Sequence, residues 1–179
     1  MAGRLAVMTR LARMRTPLVA CTLAALLGLS ACGLGSDSVS AATREQTAID
    51  AVTEGLPLAL TALEGTEALA DGQWTSCPGG IGHQFRGGGI LTAPKGEVGA
   101  QLEAVRTALI GADFQDDTTV DGHVSLTREE VSLDIQQPSS LLGPKKWRVS
   151  YHGPCRTYSG EDETYVEQQS LAPAETLLP

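Results

Sequence analysis

The 179-residue chain lacks most of the spacings by which a sequence declares its chemistry. No G-x-x-x-x-G-K occurs and the dinucleotide fingerprint is absent, which argues against both a phosphate loop and a Rossmann-type nucleotide site. No G-x-S-x-G is present, so no nucleophile elbow can be placed on a strand-to-helix turn. "GSDS" at 35–38 has the wrong order for an esterase nucleophile block. The four cysteines contain no C-x-x-C, which argues against a zinc ribbon or a thioredoxin-like redox pair. Long apolar runs are missing too. The longest, from Pro17 to Leu29, has 13 residues, against the roughly 20 of a membrane-spanning helix.

The first 31 residues also contain no acidic side chain, while Arg4, Arg10, Arg13 and Arg15 make them basic. A basic start, a short apolar stretch and small residues at its end form the tripartite pattern of an export signal. No Arg-Arg pair occurs there, so the general secretion route fits better than the twin-arginine one. Leu29-Ser30-Ala31-Cys32 closes the segment and resembles the lipobox of bacterial lipoproteins. The resemblance implies a diacylglyceryl group on the Cys32 sulfur, cleavage between Ala31 and Cys32, and acylation of the new amino group. Small residues suit a peptidase that closes around extended backbone. The alternative is an ordinary secretory signal in which Cys32 is incidental. Each buried methylene contributes about 0.8 kcal/mol, so two or more chains anchor a protein stably. The expected address is the extracytoplasmic face of a cell membrane, with Cys21 lost along with the signal.

From Cys32 onward 148 residues remain, enough for one domain with flexible ends. All 21 acidic residues lie there against nine Lys and Arg, a formal charge of −12. Such a surface argues against nucleic acid or anionic headgroups as partners. Cationic ligands or metal ions would suit it, but solvated surface charge is the simpler reading. Cys77 and Cys155 are the remaining cysteines. An even pair in an oxidising compartment is expected to form a disulfide. With the cysteines 78 positions apart, the chain-entropy estimate is roughly 4–5 kcal/mol.

Residues 32–43 are small and polar and read as a flexible tether. Ile49, Val52, Leu56, Leu60 and Leu63 recur at steps of three and four, which predicts a helix over about 44–70. Pro57 should kink or split it. Thr43 with Gln46 suits a capping box, and Asp71-Gly72 should end the helix. A strand is expected around His83–Leu91, after a Pro-Gly-Gly turn. Gly87-Gly88-Gly89 within it predicts a bulge or a close backbone approach. Val98, Leu102, Val105 and Leu109 predict a second helix over Gly96–Ile110, with Glu103 beside Arg106 and Gly111 as its stop. The apolar period then becomes two, giving strands around 124–126, 131–135 and 147–151. "TREE" and Asp121-Gly122 suit turns, and Pro138–Pro144 a loop. Residues 158–179, with their charge run, read as a disordered tail. The fold expected is α+β over residues 44–157: two helices on one face of an antiparallel sheet of about four strands, with one disulfide.

Trp74-x-x-Cys77, the central helix and the late Cys155 resemble the small cell-envelope lipoproteins of actinomycetes, whose functions are mostly unassigned. Arg outnumbers Lys by ten to three, which suits a GC-rich genome.

Chemistry has few candidates. His83, His123 and His152 could meet from three strands to bind zinc or copper, with Asp121 near His123, but no two share a helical face. Asp116-Asp117 and Glu129-Glu130 suit solvated turns, and a thiol nucleophile at Cys77 would be consumed by the disulfide. No catalytic residue, cofactor or metal ligand is assigned. The expected function is a non-catalytic binding module, held to the membrane by the Cys32 lipid, with an envelope protein or glycan as partner and no nucleic acid. A cell-envelope hydrolase and a carrier of an apolar ligand are the alternatives.

Overall fold

Ser40 opens the first helix, its hydroxyl accepting from the Thr43 N–H at 3.2 Å. A computed structural model describes residues 39–179, and in it α1 runs without a break over Ala41–Ala62. Ser40, not Thr43, is therefore the cap, and Gln46 bonds the Asp50 carboxylate within the helix. Residues 41–43 belong to this helix and not to a tether. Pro57 does not split it, because its ring lies on the exposed side and removes only the bond to Thr53. Val52, Leu56 and Leu63 are buried with Ile49 and Leu60 partly covered, as the spacing predicts. The helix stops eight residues early. Glu64 turns left-handed at φ 53°, and Gly65 N–H bonds back to the Leu60 carbonyl, which closes the last turn.

The chain then enters the sheet. β1 spans Glu67–Ser76 and β2 spans His83–Thr92, so Asp71-Gly72 lies mid-strand. α2 covers Val98–Ile110. β3 (Gln115–Asp116), β4 (His123–Arg128), β5 (Val131–Gln136) and β6 (Lys146–His152) then form a meander. The segment expected as a tail carries α3 (Glu161–Ser170) and β7 (Glu175–Leu178). Among the described residues the result is an α+β fold of three helices and one seven-stranded antiparallel sheet, in the order β3-β4-β5-β6-β2-β1-β7. The strand count exceeds the expected four because β1 is built from small residues, β3 is two residues long, and β7 gains its order from pairing with β1.

One face of the sheet holds the core. Trp74, Phe85, Leu91, Trp147, Tyr151, Leu133 and Leu126 alternate inward along their strands and are buried against the helices. Small residues on α1 allow a close fit; a Cβ at Gly55 would come within 3.1 Å of the Phe114 ring and 3.2 Å of Leu133. Cys77 and Cys155 form the disulfide, with Cα atoms 5.8 Å apart, tying the end of β1 to the segment after β6.

The connections segregate to two poles. At the near pole lie the start of α1, the 77–82 loop, the β4–β5 turn and residues 153–160. They are joined there by Arg44–Glu130 at 2.7 Å, Ala41 N–H to Asp162 at 3.0 Å, and the disulfide. At the far pole lie the end of α1 and the 93–97, 117–122 and 137–145 loops. These are stitched by Thr66 N–H to Thr92, Ala93 N–H to Lys145 and Gln137 N–H to Gly122.

Candidate functional site

The apolar stripe of α2 outruns the sheet beneath it. Val105 and Leu109 are fully buried, whereas Leu102 and Val98, one and two turns nearer the far pole, are only partly covered. The uncovered half of the stripe floors a cleft of about 520 Å³ between α2 and the 117–122 loop. His123, the first residue of β4, and Gln137 close its side.

The loop is held open by its own bonds. Asp117 N–H reaches the Ser125 carbonyl at 2.9 Å, and the Thr118 hydroxyl accepts from Ser125 N–H at 3.0 Å. Gly122 sits at φ 83°, where an L side chain is strained and a Cβ would press on the Gln137 amide. The charges are also largely fixed. Arg106 is gripped by Glu103 at 2.8 Å and Asp116 at 3.3 Å. The Asp116 carboxyl is held below its usual range, first by hydrogen bonds from the Thr118 side chain and backbone and then by the Arg106 charge. Glu97 caps α2, accepting from Ala100 N–H at 2.6 Å and Gly99 N–H at 3.0 Å; these bonds lower its carboxyl pKa too. The donors at the start of α2 are thus occupied by the chain's own carboxylate. Among the lining residues, Glu103 and Asp121 against Arg106 leave a formal charge of −1.

A second cleft of about 380 Å³ adjoins the first through Val98 and is walled by Pro94, Pro138 and Pro144. Neither cleft is lined by a Phe, Tyr or Trp ring. Both tryptophans, both phenylalanines and Tyr151 are buried, and Tyr158 and Tyr165 are half-buried. No such ring of the described residues stands exposed as a stacking platform.

Two polar clusters occupy the near pole. Glu130 receives Arg44 at 2.7 Å and Arg156 at 3.0 Å, and the Arg44 hydrogen bond is the main cause that lowers its pKa. Glu45 accepts from Trp74 Nε1 at 2.9 Å and from the Tyr165 hydroxyl at 2.6 Å, joining α1, β1 and α3. Both link elements of the fold, and Arg44 and Glu130 also line a cleft of about 350 Å³ with Thr43, Thr47, Glu129 and Pro154.

The histidines do not converge. His123 and His152 pair with opposite ends of β5, at Gln136 and Ser132, and His83 is bridged to Arg156. Among the described residues no group of three or more His, Cys, Asp or Glu is placed to hold a metal ion. Cys77 and Cys155 are bonded to each other. Ala31 and Cys32 lie outside the described residues. Gly87 and Gly89 mark a close backbone approach, with the Asp71 and Leu69 carbonyls lying where a Cβ would go. Sequence reasoning missed the cleft because it treated Val98 and Leu102 as wholly core-facing; the end of the strand pattern at His123 was the available signal. The chain matches no protein-family model, no curated protein and no solved structure.

Proposed function

We propose that the chain is an extracytoplasmic lipoprotein, anchored through a lipid on Cys32, whose α+β domain is a non-catalytic interaction module. The observation that carries this reading is Leu29-Ser30-Ala31-Cys32, set directly behind a basic start and a 13-residue apolar run. Cysteine parity supports it. Cys77 and Cys155 are paired with each other, so once Cys21 is removed with the signal Cys32 is the odd thiol, and lipid attachment would consume it. Among the described residues no helix is long and apolar enough to cross a membrane, so anchoring falls to the lipid. The module reading is supported by an open cleft in which Arg106 is already paired with Glu103 and Asp116. A protein partner fits the described surface better than a glycan, which usually stacks on exposed aromatic rings. The test is mass spectrometry of the chain expressed in a bacterium that processes lipoproteins. Intact mass should show cleavage after Ala31 and acyl chains on Cys32. Cys32→Ala should lose the acyl mass and leave the membrane fraction. A wild-type chain that carries no lipid would refute the anchor.

A further inference from the structure

The polar atoms around the disulfide suit two thiols better than they suit the bond. Among the described residues Gln84 is the only buried amide or charged side chain, 5% exposed, and its Oε1 lies 3.4 Å from Cys155 Sγ. A disulfide sulfur has no proton to give, so among those residues the Gln84 carbonyl is left without a donor. The hydroxyl of Thr75, its register partner on β1, is also buried and unbonded. A buried polar atom without a partner is disfavoured, and a Cys155 thiol would satisfy Gln84 where both already stand. The backbone around the cysteines does not depend on the bond between them. Arg156 N–H donates to the His83 carbonyl at 3.0 Å, and His83 N–H donates to the Arg156 carbonyl at 2.8 Å. Gly153 N–H reaches the Phe85 carbonyl at 2.9 Å, so both flanks of Cys155 are tied to β2. Ser76 pairs with His83, and Cys77 N–H meets the Gly82 carbonyl at 3.0 Å, which holds Cys77 at the start of the same strand. The two cysteines are unequal in access: Cys77 is 5% exposed, whereas Cys155 is exposed.

We propose that Cys77–Cys155 is a reversible thiol–disulfide exchange site, opened by a protein dithiol that attacks Cys155, with Gln84 accepting from the Cys155 thiol in the open state. One thiolate of the dithiol bonds to Cys155 Sγ, and the Cys77–Cys155 bond breaks. Its electron pair leaves on Cys77, which takes a proton from water. The second thiolate of the dithiol then displaces Cys155, which leaves with its own electron pair and is protonated in turn. The dithiol is oxidised to a disulfide, and the chain gains two electrons and two protons. Two opposed effects set the balance. The backbone bonds keep the cysteines adjacent, with Cα atoms 5.8 Å apart in the closed state, which favours closing. The hydrogen bond to Gln84 forms only in the open state, which favours opening.

The test equilibrates the full chain with graded mixtures of reduced and oxidised dithiothreitol, then alkylates it and maps the cysteines by peptide mass spectrometry. The Cys77 and Cys155 thiols should appear and vanish together, along one curve in both directions. Gln84→Leu, which removes the acceptor, should shift the balance about fivefold toward the disulfide. Hydrogen exchange should find the His83, Gly153 and Arg156 amides still protected in the reduced chain. A brief pulse of reduced glutathione, quenched by alkylation, should leave glutathione on Cys155 and not on Cys77, a readout that needs no variant. Loss of protection along β2 on reduction, a reduced chain that does not re-form the bond, glutathione on Cys77, or a Gln84→Leu balance equal to the wild type would each overturn the proposal. The peptide map separates these two cysteines from Cys21 and Cys32, so the outcome is independent of the lipid anchor.

Discussion

The Tyr151 hydroxyl donates a 2.6 Å hydrogen bond to the Asp71 backbone carbonyl, although β2 lies between their two strands. The side chain crosses that strand over Gly87, its register partner on β2. A Cβ at Gly87 would strike the Asp71 carbonyl and the Tyr151 ring, and one at Gly72 would strike the same hydroxyl and the Phe85 ring. Burial, followed by the charges of Asp71 and Glu175, holds the phenol well above the usual tyrosine range.

Gly87→Ala should cost about 2–3 kcal/mol, since backbone and not a flexible side chain blocks the new methyl group. Tyr151→Phe should cost about 1–2 kcal/mol for the lost bond and the carbonyl left behind it. Denaturant unfolding measures both. An alanine variant within about 0.5 kcal/mol of the wild type would show that the strands can part at Gly87.

How legible was this in the sequence? α2 and β4 to β6 were readable because Val105, Leu109, Val124, Leu133 and Val149 repeat with clear helical or strand periods. The disulfide followed from parity. β1 was hidden because its inward residues include Ala68, Ala70 and Gly72, too small to raise an alternating apolar signal. The charge run Glu161-Asp162-Glu163 imitated disorder, yet it is the first turn of α3, where acidic residues complement the helix dipole. The cleft depends on where α2 ends relative to β4, a tertiary relation that no local period encodes.

Reducing the Cys77–Cys155 bond should lower stability by about 2–5 kcal/mol, through freedom regained by the unfolded chain. Unfolding with and without dithiothreitol, beside a double alanine variant, checks this. Free thiols in the untreated protein would contradict the pairing.

The β4–β5 turn places Glu129 and Glu130 at φ 50° and 68°, a conformation suited to asparagine and glycine. Glu129→Gly should therefore stabilise by about 0.5–1 kcal/mol. Glu130 behaves differently because Arg44 and Arg156 hold it. Its folded pKa lies below the unfolded one, so its contribution is complete above the usual carboxylate range and fades as pH falls through the folded value. Glu130→Gln should lower the thermal midpoint slightly at pH 7 and not at all in strong acid. A gap that widens on acidification would reverse the assigned sign.

Glu45 and Tyr165 give an alkaline counterpart. Burial first, then the hydrogen bond and charge of Glu45, push the Tyr165 hydroxyl up to about 12. A raised pKa stabilises fully below the unfolded tyrosine value, near 10, and that stability is lost as pH climbs through the folded one. Ultraviolet titration should show Tyr165 ionising near 12, and Glu45→Gln should move it downward. Ionisation at the free-tyrosine value in the wild type would mean the bond to Glu45 is not formed.

The C-terminal segment gives a clean contrast between an ornamental tail and an integral one. A disordered tail could be removed without consequence. Here Val166 is fully buried, Asp162 accepts from the first N–H of α1, and β7 covers β1 beside Ala70 and Asp71. Val166→Ala should cost about 2 kcal/mol. Truncation after Ser159 should cost more, because it removes that contact, the Tyr165–Glu45 bond and the strand shielding the β1 edge together. Thermal unfolding and light scattering read the two losses, with aggregation expected only from the truncated chain. A truncated protein as stable and monodisperse as the full one would show that α3 and β7 add nothing to the fold.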